Sequence, residues 1–296
     1  MRILLASDFY HPFIGGAERQ TQVLGEELAR RGHQVEVATM WHAGQPDREA
    51  IGGLPVRRLR GLFTQVPWFS ADAGRRYHPP APDPAIVAGL SHHAAHFHPE
   101  VVHATGWIAY SCAAAFARRR LPLVVSARDY GYTCPIRTLM RHGVECDGPT
   151  VSKCLGSATE RYGLPKAVAA VGGVLGNRRL LQHSLAGVHA ISHYVEMTVR
   201  RDLLSGPQDQ RPTQTIVDIA PPGLLRDEYT EADLPPGLPQ GPFILYVGAL
   251  QRHKGIYELL HAYRGLSDAP PLVLIGSAWP DTPAAFPPGV VVLRNL

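Results

Sequence analysis

"RILLASDFYHPFIGGAERQTQVLGEELARRGHQVEVAT", residues 2–39, decides the fold. Arg2 to Ser7 is a short apolar run and reads as a buried strand. Gly16 to Arg31 reads as a helix: Val23, Leu24 and Leu28 recur at helical spacing, Glu18 lies in the first turn, Arg30 and Arg31 lie in the last, and Gly32 stops it. Gln34 to Thr39 is a second strand. Strand, helix and strand in fewer than about 40 residues imply a parallel pair with a right-handed crossover. The adjacent Gly15 and Gly16 cost backbone entropy unless something needs bare backbone. An anionic ligand at the helix N-terminus is one such need; a tight turn with no ligand is the other. The loop has no G-x-G-x-x-G, so the dinucleotide fingerprint is absent.

The unit repeats along the chain. Helices are expected over 84–96, 108–119, 164–185 and 194–204, and strands over 100–104, 122–126, 187–192 and 215–220. Apolar strands alternating with helices argue for a doubly wound parallel α/β sheet. Residues 221–242 then carry Pro221, Pro222, Pro235, Pro236, Pro239 and Pro242, a linker signal. Beyond it a second strand–helix–strand unit begins: strand 243–247, helix 256–266, strand 271–275 and a further strand at 290–293. The expected organisation is a first domain over 1–222, a linker over 223–242, and the first part of a second Rossmann-like domain over 243–296. Roughly 55 residues fall short of the 100 or so that a doubly wound domain usually takes, so the second domain reads as incomplete.

Composition narrows the function. Of 296 residues 45% are hydrophobic and 18% charged, with net charge +4, which describes a globular chain. The arginines are dispersed, for example Arg118 to Arg120, which argues against nucleic acid as partner. No secretory leader is expected, because only four apolar residues separate Arg2 from Ser7. No run of about 18 apolar residues predicts a spanning helix. The expected location is the cytoplasm, with the cysteines reduced.

The second unit offers "YVGALQRHKG", residues 246–255: strand, glycine loop, helix start. Arg252 and Lys254 stand where phosphate oxygens could meet them. Two solvated surface cations are the alternative.

In order and spacing, "SDFYHPFIGGAERQTQVLGEELARRGHQVEVAT", "PEVVHATG", "SARDYGYTCP", "GVHAISHYV", "APPGL" and "YVGALQRHKGIYELLHAY" resemble the family 4 glycosyltransferases. The resemblance covers nearly the whole chain. It implies the GT-B fold of two Rossmann-like domains and retaining transfer of a sugar from a nucleotide-sugar donor. The acceptor would be a glycan, a lipid-linked or a small molecule. It implies no metal cofactor. It assigns the donor diphosphate to Gly15, Gly16 and Glu18, and to Lys254 with Arg252. Ala249 stands where the family has an arginine, and Arg252 is the substitute. It points to His103 facing the donor sugar, although the family's second histidine is Thr105 here. The family's Asn-Gly after the hinge strand is Pro222-Gly223. The family's E-x(7)-E donor carboxylates have no counterpart before Leu296. An inactive remnant or an acceptor-binding module is therefore the alternative reading. Peripheral contact with anionic lipid at the inner face of the membrane, through Arg178, Arg179 and the apolar run 167–176, is a third and weaker one.

Other clusters carry less. Cys134, Cys146 and Cys154 with His142 could bind zinc, but no C-x-x-C pair is present, and a reduced, packed loop is the stronger reading. Cys112 reads as a small core residue. His92 and His96 share a helix face and read as a solvated helix end rather than a metal pair. Tyr162 and Lys166 match Y-x-x-x-K, with Pro165 inside it. Trp68, Phe69 and Tyr77 either stack on a sugar or cover a sheet edge.

Overall fold

The computed structural model describes residues 1–13, 15–63, 66, 75–204, 213–215 and 236–293. The chain divides into two compact units, Met1–Leu225 and Arg226–Leu296. Pro222, Gly223, Trp68, Phe69 and residues 216–220, on which linker, stacking and strand expectations rested, lie outside the described residues.

The first unit opens with β1 (Arg2–Ser7), α1 (Gly16–Arg30) and β2 (Gln34–Met40). A hairpin follows, β3 (Arg48–Ile51) and β4 (Leu54–Leu59), then α2 (Pro84–Phe97), β5 (Val101–Thr105), α3 (Ile108–Phe116) and β6 (Leu123–Ala127). A small ribbon, β7 (Met140–Arg141) and β8 (Val144–Glu145), leads to α4 (Val151–Tyr162), α5 (Leu164–Gly176) and α6 (Arg178–Ser184). The unit continues with β9 (Leu185–Ala190), α7 (His193–Asp202) and β10 (Thr213–Thr215). The main sheet has eight strands in the order β10-β9-β6-β5-β1-β2-β4-β3, and all its pairs are parallel except β3 with β4.

This order positions the site. From β1 the chain steps outward through β2 to β4, then returns across the sheet to lay β5 against the other edge of β1. Right-handed crossovers in opposite directions place their helices on opposite faces. Accordingly α1 packs Leu24 and Leu28 against Ile3, Leu5, Val35 and Val37 on one face. On the other face α2, α3, α6 and α7 bury Leu4, Ala6, Val102, Val125 and Val188. The step between β1 and β5 is the reversal point, where open α/β sheets bind ligands at the carboxyl ends of their strands.

The helices start where local chemistry supplies partners. Asp83 caps α2: its carboxylate accepts from Ala85 N and Ile86 N at 2.9 and 3.2 Å, ahead of Pro84 at the first position. It also accepts from Leu62 N and Phe63 N at 3.1 and 2.8 Å, which ties the segment after β4 to the helix. Gly32 takes φ +84 and ends α1 in the left-handed conformation expected of it.

Some expectations shift. The helix expected over 164–185 is two, α5 and α6, with a turn at Asn177. The helix over 108–119 tightens into a 3-10 turn at Ala117–Arg119. The reading of the segment that carries Cys134, Cys146 and Cys154 as a packed loop missed α4, whose polar sequence buries only Cys154 and Ala158. Tyr162 ends α4 and Lys166 lies in α5 beyond Gly163 at φ +78, so they share no helix face. His92 and His96 are exposed at the end of α2, their ring centroids 4.4 Å apart. His93 between them is buried against Glu36, Nε2 to Oε2 2.5 Å. That gives the cluster an acidic partner which the sequence did not reveal. Cys112 is fully buried in α3.

The second unit is built on β11 (Ile244–Val247), α8 (Ile256–Arg264), β12 (Leu272–Ile275) and β13 (Val290–Leu293), parallel in the order β11-β12-β13. Helix α8 sets Ile256, Leu260 and Tyr263 against Leu272 and Leu274. Leu245 and Val247 on β11 are 52% and 69% exposed, so two apolar side chains of this strand are open to solvent. Among the described residues no helix is long and apolar enough to cross a membrane.

Candidate functional site

The carboxyl edge of the first sheet holds a dense polar and aromatic cluster. Asp8 directly follows β1 at the reversal point. Its buried carboxylate accepts from Trp107 N at 2.9 Å and Ile108 N at 2.6 Å, the first turn of α3. Burial raises its pKa to about 6, against the lowering pull of Arg137 and the two backbone bonds. Gly106, at φ +90, makes room: a Cβ there would lie 2.5 Å from the Asp8 carboxylate. Tyr132 donates to Gly106 O at 3.0 Å and Trp107 Nε1 donates to Gly131 O at 2.8 Å, which locks the loop after β6 onto the start of α3. Asp129 accepts from Gly131 N and from Arg137 Nε at 2.7 and 2.9 Å. The Arg137 guanidinium lies 5.1 Å from the Trp107 ring centre and 5.7 Å from that of Tyr77.

The loop between β1 and α1 adds aromatics. Phe9 packs on Phe13, His42 and Tyr77 at centroid distances of 5.1, 5.3 and 4.8 Å. The Arg75 guanidinium sits 4.7 Å over Phe9 and pairs with Glu18 at 2.6 Å. A wall of aromatic faces with charged groups at its rim suits the apolar faces and hydroxyls of a sugar.

The two glycines turn out to differ. Gly15 is extended, at φ −175, so its conformation suits any residue. Its missing Cβ matters because Glu18 folds back over it: a Cβ would lie 2.3 Å from Glu18 Oε2. Around Gly16 a Cβ would meet nothing within 4 Å. The structure thus brings Gly15, Gly16 and Glu18 together at the N-terminus of α1, with the protein's own carboxylate held there by Arg75. A negative group beside those free N–H groups is favourable.

His103 lies within β5 rather than at its end. Its Nε2 is 2.7 Å from Ser126 Oγ, and Ser126 Oγ is 3.1 Å from His189 Nδ1. Burial, with His189 and Arg128 nearby, holds His103 down to about 3. This imidazole is neutral at pH 7 and bonded into the sheet face.

In the second unit, Arg252 and Lys254 form a 3-10 turn, and Gly255 at φ +77 opens α8. The Arg252 amide donates to Asp281 at 3.0 Å and its guanidinium stacks 4.3 Å over Tyr257. Lys254 is exposed; its backbone N–H donates to Gln251 O at 3.0 Å, while its side-chain amine makes no hydrogen bond or ion pair among the described residues. Gly248 and Gly276 bring the loops after β11 and β12 into backbone contact: a Cβ on Gly276 would lie 1.8 Å from Gly248 O. No larger residue fits there.

Cys134, Cys146 and Cys154 are free thiols. Among the described residues no three or more His, Cys, Asp or Glu side chains are arranged to hold a metal ion. Sequence reasoning missed Asp8, Arg75, Asp129 and Arg137. Asp8 bonds residues about 100 positions away, and nothing local in the sequence signals it.

Residues 14–146 match the model of Glycosyltransferase Family 4. A search of the curated proteins finds no match. Among solved structures the chain is similar to sucrose-phosphate synthase from Thermosynechococcus elongatus (18% identity, 100% of this chain and 70% of that one, TM-score 0.58). It is also similar to the catalytic domain of starch synthase IV from Arabidopsis thaliana bound to ADP and acarbose (13%, 93% and 68%, 0.56). A third is HepE from Anabaena in complex with UDP and glucose (16%, 94% and 62%, 0.54). These are GT-B glycosyltransferases, and the chain has their fold.

Proposed function

We propose that this chain, family 4-like over residues 14–146, transfers a sugar from a nucleoside diphosphate sugar to an acceptor hydroxyl with retention of configuration. The observation that carries the reading is the turn at Arg252–Lys254: an unpaired, exposed Lys254 amine directly before the N-terminus of α8. A departing diphosphate carries negative charge, and a cation beside free backbone N–H groups stabilises it. The HepE and starch synthase structures, whose ligands include UDP, glucose and ADP, support the same ligand class. Arg252 adds a second cation, and in this reading no metal ion is needed.

The first unit supplies the acceptor side. Phe13 and Tyr77 offer ring faces, with Phe9 and Trp107 buried behind the site's surface, and Glu18, Asp129, Arg75 and Arg137 offer the polar contacts that orient hydroxyls. Gly16 leaves open space at the start of α1. In a retaining reaction on one sugar face, the leaving phosphate accepts the acceptor's proton, so the neutral, sheet-bonded His103 need not act as a base. Its role would be to hold the Ser126 hydroxyl in place.

Lys254→Ala is expected to leave folding unchanged and to weaken nucleoside diphosphate sugar binding about 10- to 100-fold, the worth of one charge-assisted contact. Calorimetric titration of both proteins checks this. Equal affinities would remove the proposed role of Lys254.

A further inference from the structure

The face of the main sheet that α1 covers at β1 and β2 carries, farther along, a polar cluster that the transfer reading leaves unused. Ser126 and His189 are register neighbours on β6 and β9, and Ser126 bridges the rings of His103 and His189. Arg128 follows Ser126 by two residues, the strand period that returns a side chain to the same face. His189 is 8% exposed, and its Nε2 is buried without a hydrogen-bond partner. Arg128 Nε and Nη1 are also buried and unpartnered. Such groups are rare in folded proteins, because each loses its water without gaining a partner, and the loss is greater for a charged group.

Arg128 forms no ion pair among the described residues, and the adjacent Asp129 is bonded to Gly131 N and Arg137. After burial itself, the charge of Arg128 lowers the proton affinity of both histidines. Three buried polar nitrogens are thus left unused near the carboxyl ends of β6 and β9, with a positive charge that no ion pair meets among the described residues.

We infer that Arg128 and His189, braced by Ser126 and His103, form a subsite for an oxyanion, a carboxylate or phosphate carried by the acceptor. The inference rests on the transfer reading for the word acceptor; the anion site itself does not. The guanidinium N–H groups donate to the oxyanion, and His189 donates from Nε2 once Ser126 donates to its Nδ1. The Ser126 hydroxyl accepts from His103 in that arrangement, so every group in the chain is satisfied. Acceptors with an acidic sugar or a phosphorylated end would then be preferred over neutral ones.

The test is nitrogen-15 NMR of the histidine rings in the full chain at constant ionic strength, titrated separately with inorganic phosphate, acetate, glucose and UDP. Phosphate or acetate is expected to shift the His189 signal saturably, at affinities in about the millimolar range; the tighter of the two names the anion class. Arg128→Gln is expected to weaken that binding about tenfold or more. Arg128→Lys, which keeps the charge, should retain part of it. Absence of a saturable shift, or a shift indifferent to Arg128→Gln, overturns the subsite. An Arg128-dependent shift with UDP at lower concentration than phosphate assigns the site to the donor and overturns the acceptor assignment. Failure of donor binding with this site intact would count against the transfer reading and leave the anion site standing.

Discussion

Lowering the pH from 7.5 to 4.5 is expected to unfold this protein. Three buried histidines are held neutral: burial pushes His78 down to about 4, His103 to about 3 and His189 to about 4. In an unfolded chain each titrates near 6.5. A group whose folded pKa is depressed contributes stability above its unfolded pKa and loses it as the pH falls. Around pH 5 the unfolded chain therefore binds nearly three more protons at these sites. Asp8 works the other way, because its folded pKa of about 6 lies above its unfolded value; the folded chain binds one proton more there. The net difference of two protons costs roughly 2–3 kcal/mol per pH unit. His42 and His93, also held down by burial, add to the same sign. Domains are stable by about 5–15 kcal/mol, so the acid midpoint should fall between about pH 4 and 5. Urea unfolding at several pH values measures the slope. Stability that is flat or rising from pH 6.5 to 5 would contradict the neutral histidine network. His78 is the most informative single site, since it is fully buried and bonded to Ser111 and Pro79 at 2.8 and 2.6 Å.

Gly106→Ala is expected to lower unfolding free energy by roughly 2–4 kcal/mol. A side chain at φ +90 is strained by about 1–2 kcal/mol. The new methyl would also lie 2.5 Å from the Asp8 carboxylate, which would have to leave Trp107 N and Ile108 N. Bonds to a charged acceptor contribute about 1.5–3 kcal/mol each, and some of that is recovered by water. The same displacement would shift the ring of Trp107, so sugar binding should weaken along with stability. Differential denaturation of the two proteins measures the first effect. A change below about 0.5 kcal/mol would mean that Asp8 does not hold the start of α3.

Much of the fold was legible because its signal is local. The alternation of apolar runs and amphipathic stretches gave β1, α1, β2, β5, β6 and β9 within a residue or two, and β13 to the residue. The β3–β4 hairpin was missed although its turn was readable: Gly52 and Gly53 both take positive φ between Ile51 and Leu54, a two-residue connection that favours glycine. What hid it was β4 itself, "LPVRRL", whose Arg58 is buried and satisfied by Glu49 and by His11 O. A charge inside a strand reads as surface until its partners are known.

The site was legible in place and less so in chemistry. Gly15, Glu18 and Lys254 stand at helix starts, as their spacing indicates. The reason for Gly15 differs from the simplest sequence argument, since the group over it in the structure is the chain's own Glu18. Arg75, Asp129 and Arg137 reach the site through contacts between distant segments, and pairings of that kind leave no periodicity to read. His103, which the resemblance points toward the donor sugar, is bonded to Ser126 in the structure.

Titration of the full chain with a panel of nucleoside diphosphates and their sugars, followed by calorimetry, tests the central claim most directly. At least one is expected to bind saturably, with an affinity between about micromolar and millimolar that falls in Lys254→Ala. A folded chain that binds no member of the panel would contradict the transfer reading.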